Sequence, residues 1–192
     1  VAQALEYIGK LRPDCGSEVV PLKEACGRIL DAGITSSFSQ PVAPTSVMDG
    51  YAFRKQDLGR VLTVVGEARA GQPYVGALSP YEAVRIFTGA HLPRGADSIE
   101  IQEYAIRDSD NLRFSKLSKG RNYIRPLGSN FMKGDPLFDS GQAVTPAVIS
   151  AIASANISSV SVKRKPRIAI LRCGDELRPV GSALEGDKII DS

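Results

Sequence analysis

The chain has 192 residues and a formal net charge of +3, with 24 Lys and Arg set against 21 Asp and Glu. That length can bury a real core in one or two domains, and a single short basic run, "VKRKPR" at 162–167, falls short of the positive track that nucleic acid requires. Cys15, Cys26 and Cys173 lack C-x-x-C spacing, which argues against a structural zinc site and for a reducing compartment.

Val1, Leu5, Ile8 and Leu11 recur at three- and four-residue intervals, so residues 1–11 are expected to form an amphipathic helix that ends before Pro13. A second short helix is expected in "PLKEACGRIL", with Pro21 at its start and Leu22, Cys26, Ile29 and Leu30 on one face. From Ile34 onward Thr, Ser, Gly and Pro accumulate through "ITSSFSQPVAPTS". The β-rich runs "VLTVVGEA", "EAVRIFTG", "SIEIQEYAI", "NLRFSKL" and "NYIRPL" follow, punctuated by "AGQPYVG", "HLPRGADS" and "RDSDN". These predict a compact, mostly antiparallel β domain over 36–141. Helical character returns in "TPAVISAIASAN", with Thr145 as N-cap, Pro146 at the first helical position and Asn156 suited to a left-handed C-terminal residue. Its apolar stretch is interrupted by Thr, Pro, Ser and Asn and falls short of a membrane span. No secretory leader is visible, so a soluble, cytoplasmic protein is expected.

Helical segments on both sides of a β block imply that the block is inserted into a stalk shared by the flanking pieces. After the strand-like "SSVSVKR", residues 167–172 form a continuous apolar-rich run expected to be a strand of a parallel sheet covered on both faces. It leads into "CGDEL", and ligands collect at the carboxyl ends of such strands. The segment 166–192 therefore looks like the opening of a further α/β domain, but one strand and one loop cannot close a sheet, so either that domain is truncated or the segment packs on something else.

The run "TSVMDGYAF" at 45–53 places Asp49 beside Gly50, and the pair alone fits a tight turn. Three loops share this composition: "SVMDGYA", "RIFTGAHLPRGAD" and "RCGDELRPVG". Each sets a carboxylate or hydroxyl beside glycine, where backbone N–H groups can approach an anion and a carboxylate can hold Mg²⁺ against phosphate oxygens. His91 is the single histidine, and its Gly/Pro-rich loop suits an ordinary surface residue.

Taken in order, "SVMDGYAFR", "AVRIFTGAHLPRGADSIEIQE" and "AILRCGDEL…GDKIIDS" resemble the signature segments of the molybdopterin molybdenumtransferases, whose relatives include the E domain of gephyrin. The resemblance runs from "LKEACGRIL" to Ser192 and rests chiefly on "MDGYA" combined with "TGA-x-x-P-x-GAD". It implies a multidomain α+β protein with an elongated stalk of residues 14–35 and 142–165. An inserted β domain would span 36–141, residues 1–13 would pack on the α/β domain, and 166–192 would begin that pterin-binding domain.

The activity implied is insertion of molybdate into adenylated molybdopterin with release of AMP, assisted by Mg²⁺ or a similar divalent ion. The resemblance further implies a homodimer in which the β domain of one subunit faces the α/β domain of the other, and it admits a molybdopterin adenylyltransferase as partner. Neither nucleic acid nor membrane is an expected partner. By position in the motifs, Asp49, Thr88 and Glu176 are implied in catalysis, Arg125, Ser46, Gly89 and Asp175 in substrate binding, and Asp49 and Glu176 in holding the metal. Physically, the two carboxylates suit coordination, the Thr88 hydroxyl can donate to an oxyanion, and Arg125 can make a bidentate contact with phosphate or molybdate oxygens.

Three departures accompany these matches. Ala43-Pro44 stands where the family commonly has an aromatic-Asp pair, Asn130 where aspartate usually follows "R-x-x-G", and Arg172-Cys173 where small hydroxyl residues precede "GDEL". An Asp to Asn change keeps shape and removes a charge. The alternative expectation is thus a non-catalytic dimeric scaffold or partner-binding member, and the 192-residue chain by itself is expected to be inactive.

Overall fold

The computed structural model describes residues 1–10, 15–118, 122–183 and 186–191. Contacts divide the chain into two compact units, Val1–Glu18 with Lys163–Ser192, and Val19–Val162. The first helical repeat produces α1 (Ala2–Lys10), which carries a Glu6–Lys10 ion pair one turn apart and buries none of its residues. Its expected end before Pro13 lies outside the described residues.

The segment "PLKEACGRIL" is a strand and a turn, not a helix. Pro21 closes β1 (Ser17–Pro21), and only Leu22–Glu24 coils, as one 3₁₀ turn. Helix propagation is stopped because Leu22 N–H donates to Ser158 O (2.8 Å), Gly27 takes φ +75°, and Leu30 bridges to Val162. Tertiary pairing thus overrides a helical spacing of apolar residues.

The chain continues through β2 (Ile34–Thr35), β3 (Thr45–Ser46), β4 (Gly50–Phe53), β5 (Leu62–Ala68), β6 (Glu82–Ile86) and β7 (Ser98–Ile101). Then come β8 (Ala105–Asp108), β9 (Asn111–Phe114), β10 (Ile124–Arg125) and β11 (Pro136–Phe138). Six of these make one sheet in the order β7-β4-β6-β5-β9-β8. All neighbours run antiparallel except β5 and β6, which are parallel and shifted by a bulge between Val64 and Gly66. The described chain is therefore a mixed α/β structure dominated by β.

Strand β4 is buried along its whole length, and its alternation sends side chains into two cores. Ala52 joins Ala68, Val84, Ile86 and Ile99 on one face, while Tyr51 and Phe53 join Leu62, Val64, Ala83 and Leu112 on the other. A third core gathers Val20, Leu22, Leu30 and Ile34 with residues from α2 (Pro146–Ser154) and β12 (Ser159–Lys163), including Val148, Ile152, Val160 and Val162. Here the chain's local chemistry is as expected: Thr145 accepts from Val148 N–H at 3.3 Å, Pro146 opens the helix, and Asn156 takes φ +57°. Strand β1 pairs with β12, and β2 with β11.

In the first unit, β13 (Leu177–Arg178) and β14 (Ile189–Ile190) pair in parallel. Residues 167–172 are not a strand: Ile168, Ile170 and Leu171 are 80–95 % exposed, and no described strand lies beside them to accept their backbone bonds.

Candidate functional site

Two loops meet at the ends of β3, β4 and β6. In the first, the buried Ser46 hydroxyl donates to Met48 O (2.5 Å) and accepts from Met48 N–H (3.3 Å), so a short polar side chain closes the turn that delivers Asp49. Asp49 is not the corner of a hairpin. Gly50 is already the first residue of β4, paired with Ile86 on one side and Ile101 on the other. It is glycine because β7 passes too close for a side chain. A Cβ would run into the Glu100 carbonyl, with the carbonyl carbon at 2.9 Å and Ile101 Cα at 3.1 Å.

In the second loop β6 ends at Ile86 and Phe87 begins a turn closed by Ala90 N–H to Phe87 O (2.9 Å). Gly89 supplies the positive φ, +82°, that the third residue of such a turn requires. The loops are stitched together by Gly89 N–H to Ser46 O (2.8 Å) and Ser46 N–H to Ala90 O (2.9 Å). This geometry aims Thr88 at Asp49. Thr88 donates both its N–H and its hydroxyl to Asp49 Oδ1, each at 2.8 Å.

Two donors converging on one oxygen favour the ionised carboxylate. The Thr88 backbone N–H is the main reason the Asp49 pKa is lowered, followed by the Thr88 hydroxyl; partial burial opposes them, and the Arg85 charge adds a lesser lowering. The Thr88 hydroxyl proton is directed at Asp49, which leaves its oxygen lone pairs for an incoming cation or donor. Asp49 is half-buried and Thr88 exposed, so the carboxylate is both fixed and reachable.

Ser46, Asp49, Thr88 and Gly89 are therefore brought together. Arg125 is joined to them by backbone, since β10 pairs with β3 and Arg125 stands opposite Thr45. Its side chain stays within its own loop, where Nε donates to Ser129 Oγ (3.1 Å) and the guanidinium also donates to Asn130 Oδ1. Both partners are neutral, so the charge of Arg125 is held in place without being cancelled. Asp175 and Glu176 belong to the other unit, exposed in the turn before β13, with Asp175 O accepting from Lys188 Nζ at 3.1 Å. Among the described residues no group of three or more His, Cys, Asp or Glu could hold a metal ion. His91 is exposed, as its loop implied. No described helix is long and apolar enough to cross a membrane.

Sequence reasoning missed Arg85 and Gln102. Arg85 Nη1 donates to Gly50 O (2.9 Å), its other terminal nitrogen donates to the Gln102 side chain, and Gln102 N–H donates to Asp49 O (3.1 Å). In "AVRIF" an Arg between apolar neighbours has the alternation of a solvent-facing strand position, and nothing in that pattern separates a clamp from a surface charge.

The family described as the MoeA N-terminal region (domain I and II) matches residues 1–156. The chain belongs to the MoeA family. Within it, a molybdopterin molybdenumtransferase of Haemophilus influenzae is 37% identical over 179 residues, covering 92% of this chain and 44% of that relative. One from Nostoc sp. is 32% identical over 192 residues, covering 96% of this chain and 44% of the relative. A crystal structure of a molybdopterin biosynthesis MoeA protein from Pyrococcus horikoshii superposes with a TM-score of 0.87 at 29% identity, covering all of this chain and 51% of the other. The chain thus spans about half the length of the MoeA relatives it matches.

Proposed function

We propose that this chain is the N-terminal portion of a molybdenumtransferase that inserts molybdate into adenylated molybdopterin and releases AMP. The observation that carries the reading is Asp49, kept ionised and oriented by two Thr88 donors at the meeting of the two signature loops. An acidic group so held can orient and stabilise a centre that changes its oxygen partners, without itself competing for a proton.

Asp49, Thr88 and Glu176 act on the reacting groups, while Ser46, Gly89, Arg125 and Asp175 bind substrate oxygens. A divalent ion such as Mg²⁺ fits one side of this donor set. Among the described residues no hydrogen bond reaches Asp49 Oδ2, and Mg²⁺ is commonly held by one or two carboxylates together with substrate oxygens. Asp49 and Glu176 would hold it, and it would supply neutralising charge at phosphate and molybdate oxygens. The protein works in the cytoplasm as a homodimer, with a molybdopterin adenylyltransferase as the partner that hands over the adenylated substrate. A stalk of 14–35 and 142–165 and a β domain of 36–141 are supported by the separate cores: the buried residues of one lie at 20–34 and 144–162, with Leu137 and Phe138 from the end of the β segment packed against them, and the other two draw on 51–124.

A scaffold reading is favoured by one observation, the neutral Asn130 beside Arg125. The deciding assay is AMP release by the full-length protein from adenylated molybdopterin with and without molybdate. Molybdate-dependent release is expected. A folded dimer that releases no AMP in either condition would establish the scaffold instead. Calorimetric titration of the 192-residue chain with AMP should show nothing tighter than about millimolar, roughly 4 kcal/mol.

A further inference from the structure

Asp49 is held at its carboxylate by Thr88, but its backbone is held by something else. Arg85 lies on β6 directly opposite Tyr51 of β4, one residue beyond Gly50. From there its guanidinium reaches back to the Gly50 carbonyl at 2.9 Å and across to the Gln102 side chain. Gln102 in turn donates its N–H to the Asp49 carbonyl at 3.1 Å. The carbonyls of two successive residues, Asp49 and Gly50, are thus tied to Gln102 and Arg85, and those two are tied to each other.

The guanidinium is itself fixed. It stands 4.7 Å from the centroid of the Phe87 ring and 5.1 Å from that of Tyr51, and each ring face attracts the cation. Tyr51 is 6% exposed, so one of these walls is part of the core. Phe87 is the residue before Thr88, so the same cation also touches the start of the loop that carries the two donors to Asp49. Among the described residues Arg85 forms no ion pair, and its hydrogen-bond partners, the Gly50 carbonyl and the Gln102 side chain, are neutral. A planar fork with five donors suits this task, whereas a lysine offers a single flexible point charge.

We infer that Arg85 is a positioning residue for Asp49, one that sets the direction of the carboxylate by clamping the peptide on its C-terminal side and the strand end that binds its carbonyl. The inference rests on the proposed function for its consequence in catalysis, since it assigns Asp49 to the reacting groups. Its geometric content stands apart from that reading. A residue in this role need never touch substrate, yet a displacement of about 1 Å at a reacting group can cost about 10²-fold in rate.

The test uses the full-length protein with Arg85→Met, Arg85→Lys and Gln102→Leu. The first readout is amide hydrogen exchange at Thr88 and Gln102, the two N–H groups bonded to Asp49. Val64, whose N–H donates to Asp110 O at 2.8 Å elsewhere in the sheet, serves as control. Exchange at Thr88 and Gln102 should rise at least about ten-fold in Arg85→Met and less in Gln102→Leu, with Val64 unchanged. Wild-type protection at Thr88 and Gln102 in Arg85→Met overturns the clamp. Equal loss of protection at Val64 does so as well, because it marks general loosening; Arg85→Lys and Gln102→Leu then show whether a milder change is also general. The second readout is steady-state transfer. A positioning role predicts a kcat lowered about 10- to 100-fold with KM for adenylated molybdopterin within about two-fold, and partial recovery in Arg85→Lys. A raised KM at unchanged kcat would make Arg85 a substrate contact and overturn the inference. If the wild-type protein transfers no molybdenum at all, the functional reading fails, while the exchange measurement still decides the clamp.

Discussion

Replacing Asp49 with Asn separates the two jobs a carboxylate can have at that place. Asn keeps an oxygen where Oδ1 lies, so the Thr88 N–H and hydroxyl, both 2.8 Å away, can still find an acceptor. What is lost is the charge assistance. Bonds to an ionised group contribute about 1.5–3 kcal/mol against about 0.5–1.5 for neutral ones, which over two bonds suggests a loss of about 2 kcal/mol. Water reaches both residues, and screening at such a site reduces this to about 1 kcal/mol or less. For a chain of this size that lowers Tm by only about 2–4 °C. Turnover is another matter, because removing one fixed group aimed at a reacting centre costs about 10²- to 10³-fold. The assay is AMP release per folded full-length molecule, read beside calorimetric Tm. A fall in Tm several times the predicted one with normal activity per folded molecule would refute the assignment and leave Asp49 a structural residue.

The same pair carries a pH signature. Because the folded-state pKa of Asp49 is lowered, its stabilisation is fully present above the unfolded value of about 3.9 and is lost as pH falls through the folded value. The stability gap between wild type and Asp49→Asn should be constant at neutral pH and close below about pH 4; a gap that widens on acidification contradicts the Thr88 account. Gly50→Ala should destabilise by about 1–3 kcal/mol through overpacking against Glu100, seen as a lower urea midpoint, and an unchanged midpoint would mean that β7 yields freely. Thr145→Ala should cost about 1 kcal/mol in the same assay by removing the cap on Val148 N–H, whereas Thr145→Ser should recover most of it. Finally, if the site is shared across a homodimer, inactive full-length Asp49→Ala and Glu176→Ala should regain roughly a quarter of wild-type activity when mixed at random, since half the dimers are mixed and each has one intact site. Continued inactivity in a mixture shown by mass spectrometry to contain heterodimers would place both residues in one chain's site.

Where local chemistry decides structure, the sequence was readable. Thr145, Pro146 and Asn156 announce the start and stop of α2 because capping and left-handed turns depend on one residue at a time. The runs at 62–68 and 82–86 announce strands through their β-branched and apolar content. Reading failed where a distant partner decides. Residues 22–30 have helical spacing, yet Ser158 and Val162 claim their backbone, and 167–172 have a strand's composition with no neighbouring strand described. The site divides the same way. Asp49 and Thr88 stand out in short motifs, while Arg85 and Gln102 gain meaning only from the register that sets β6 and β7 on either side of β4.

The pairing of β1 with β12 has a topological consequence. The strand by which the chain enters Val19–Val162 and the strand by which it leaves are hydrogen-bonded neighbours, so everything between them is a loop closed at a single neck. Closing so long a loop costs on the order of 4 kcal/mol of chain entropy, which makes the neck a contact expected to form late in folding and to rely on the core already assembled inside it. Once made, it keeps the two ends of the unit side by side. A block with adjacent ends is modular: its termini can be joined and reopened at an exposed turn, or the whole piece spliced into another host, without rethreading any strand of the sheet that carries Asp49.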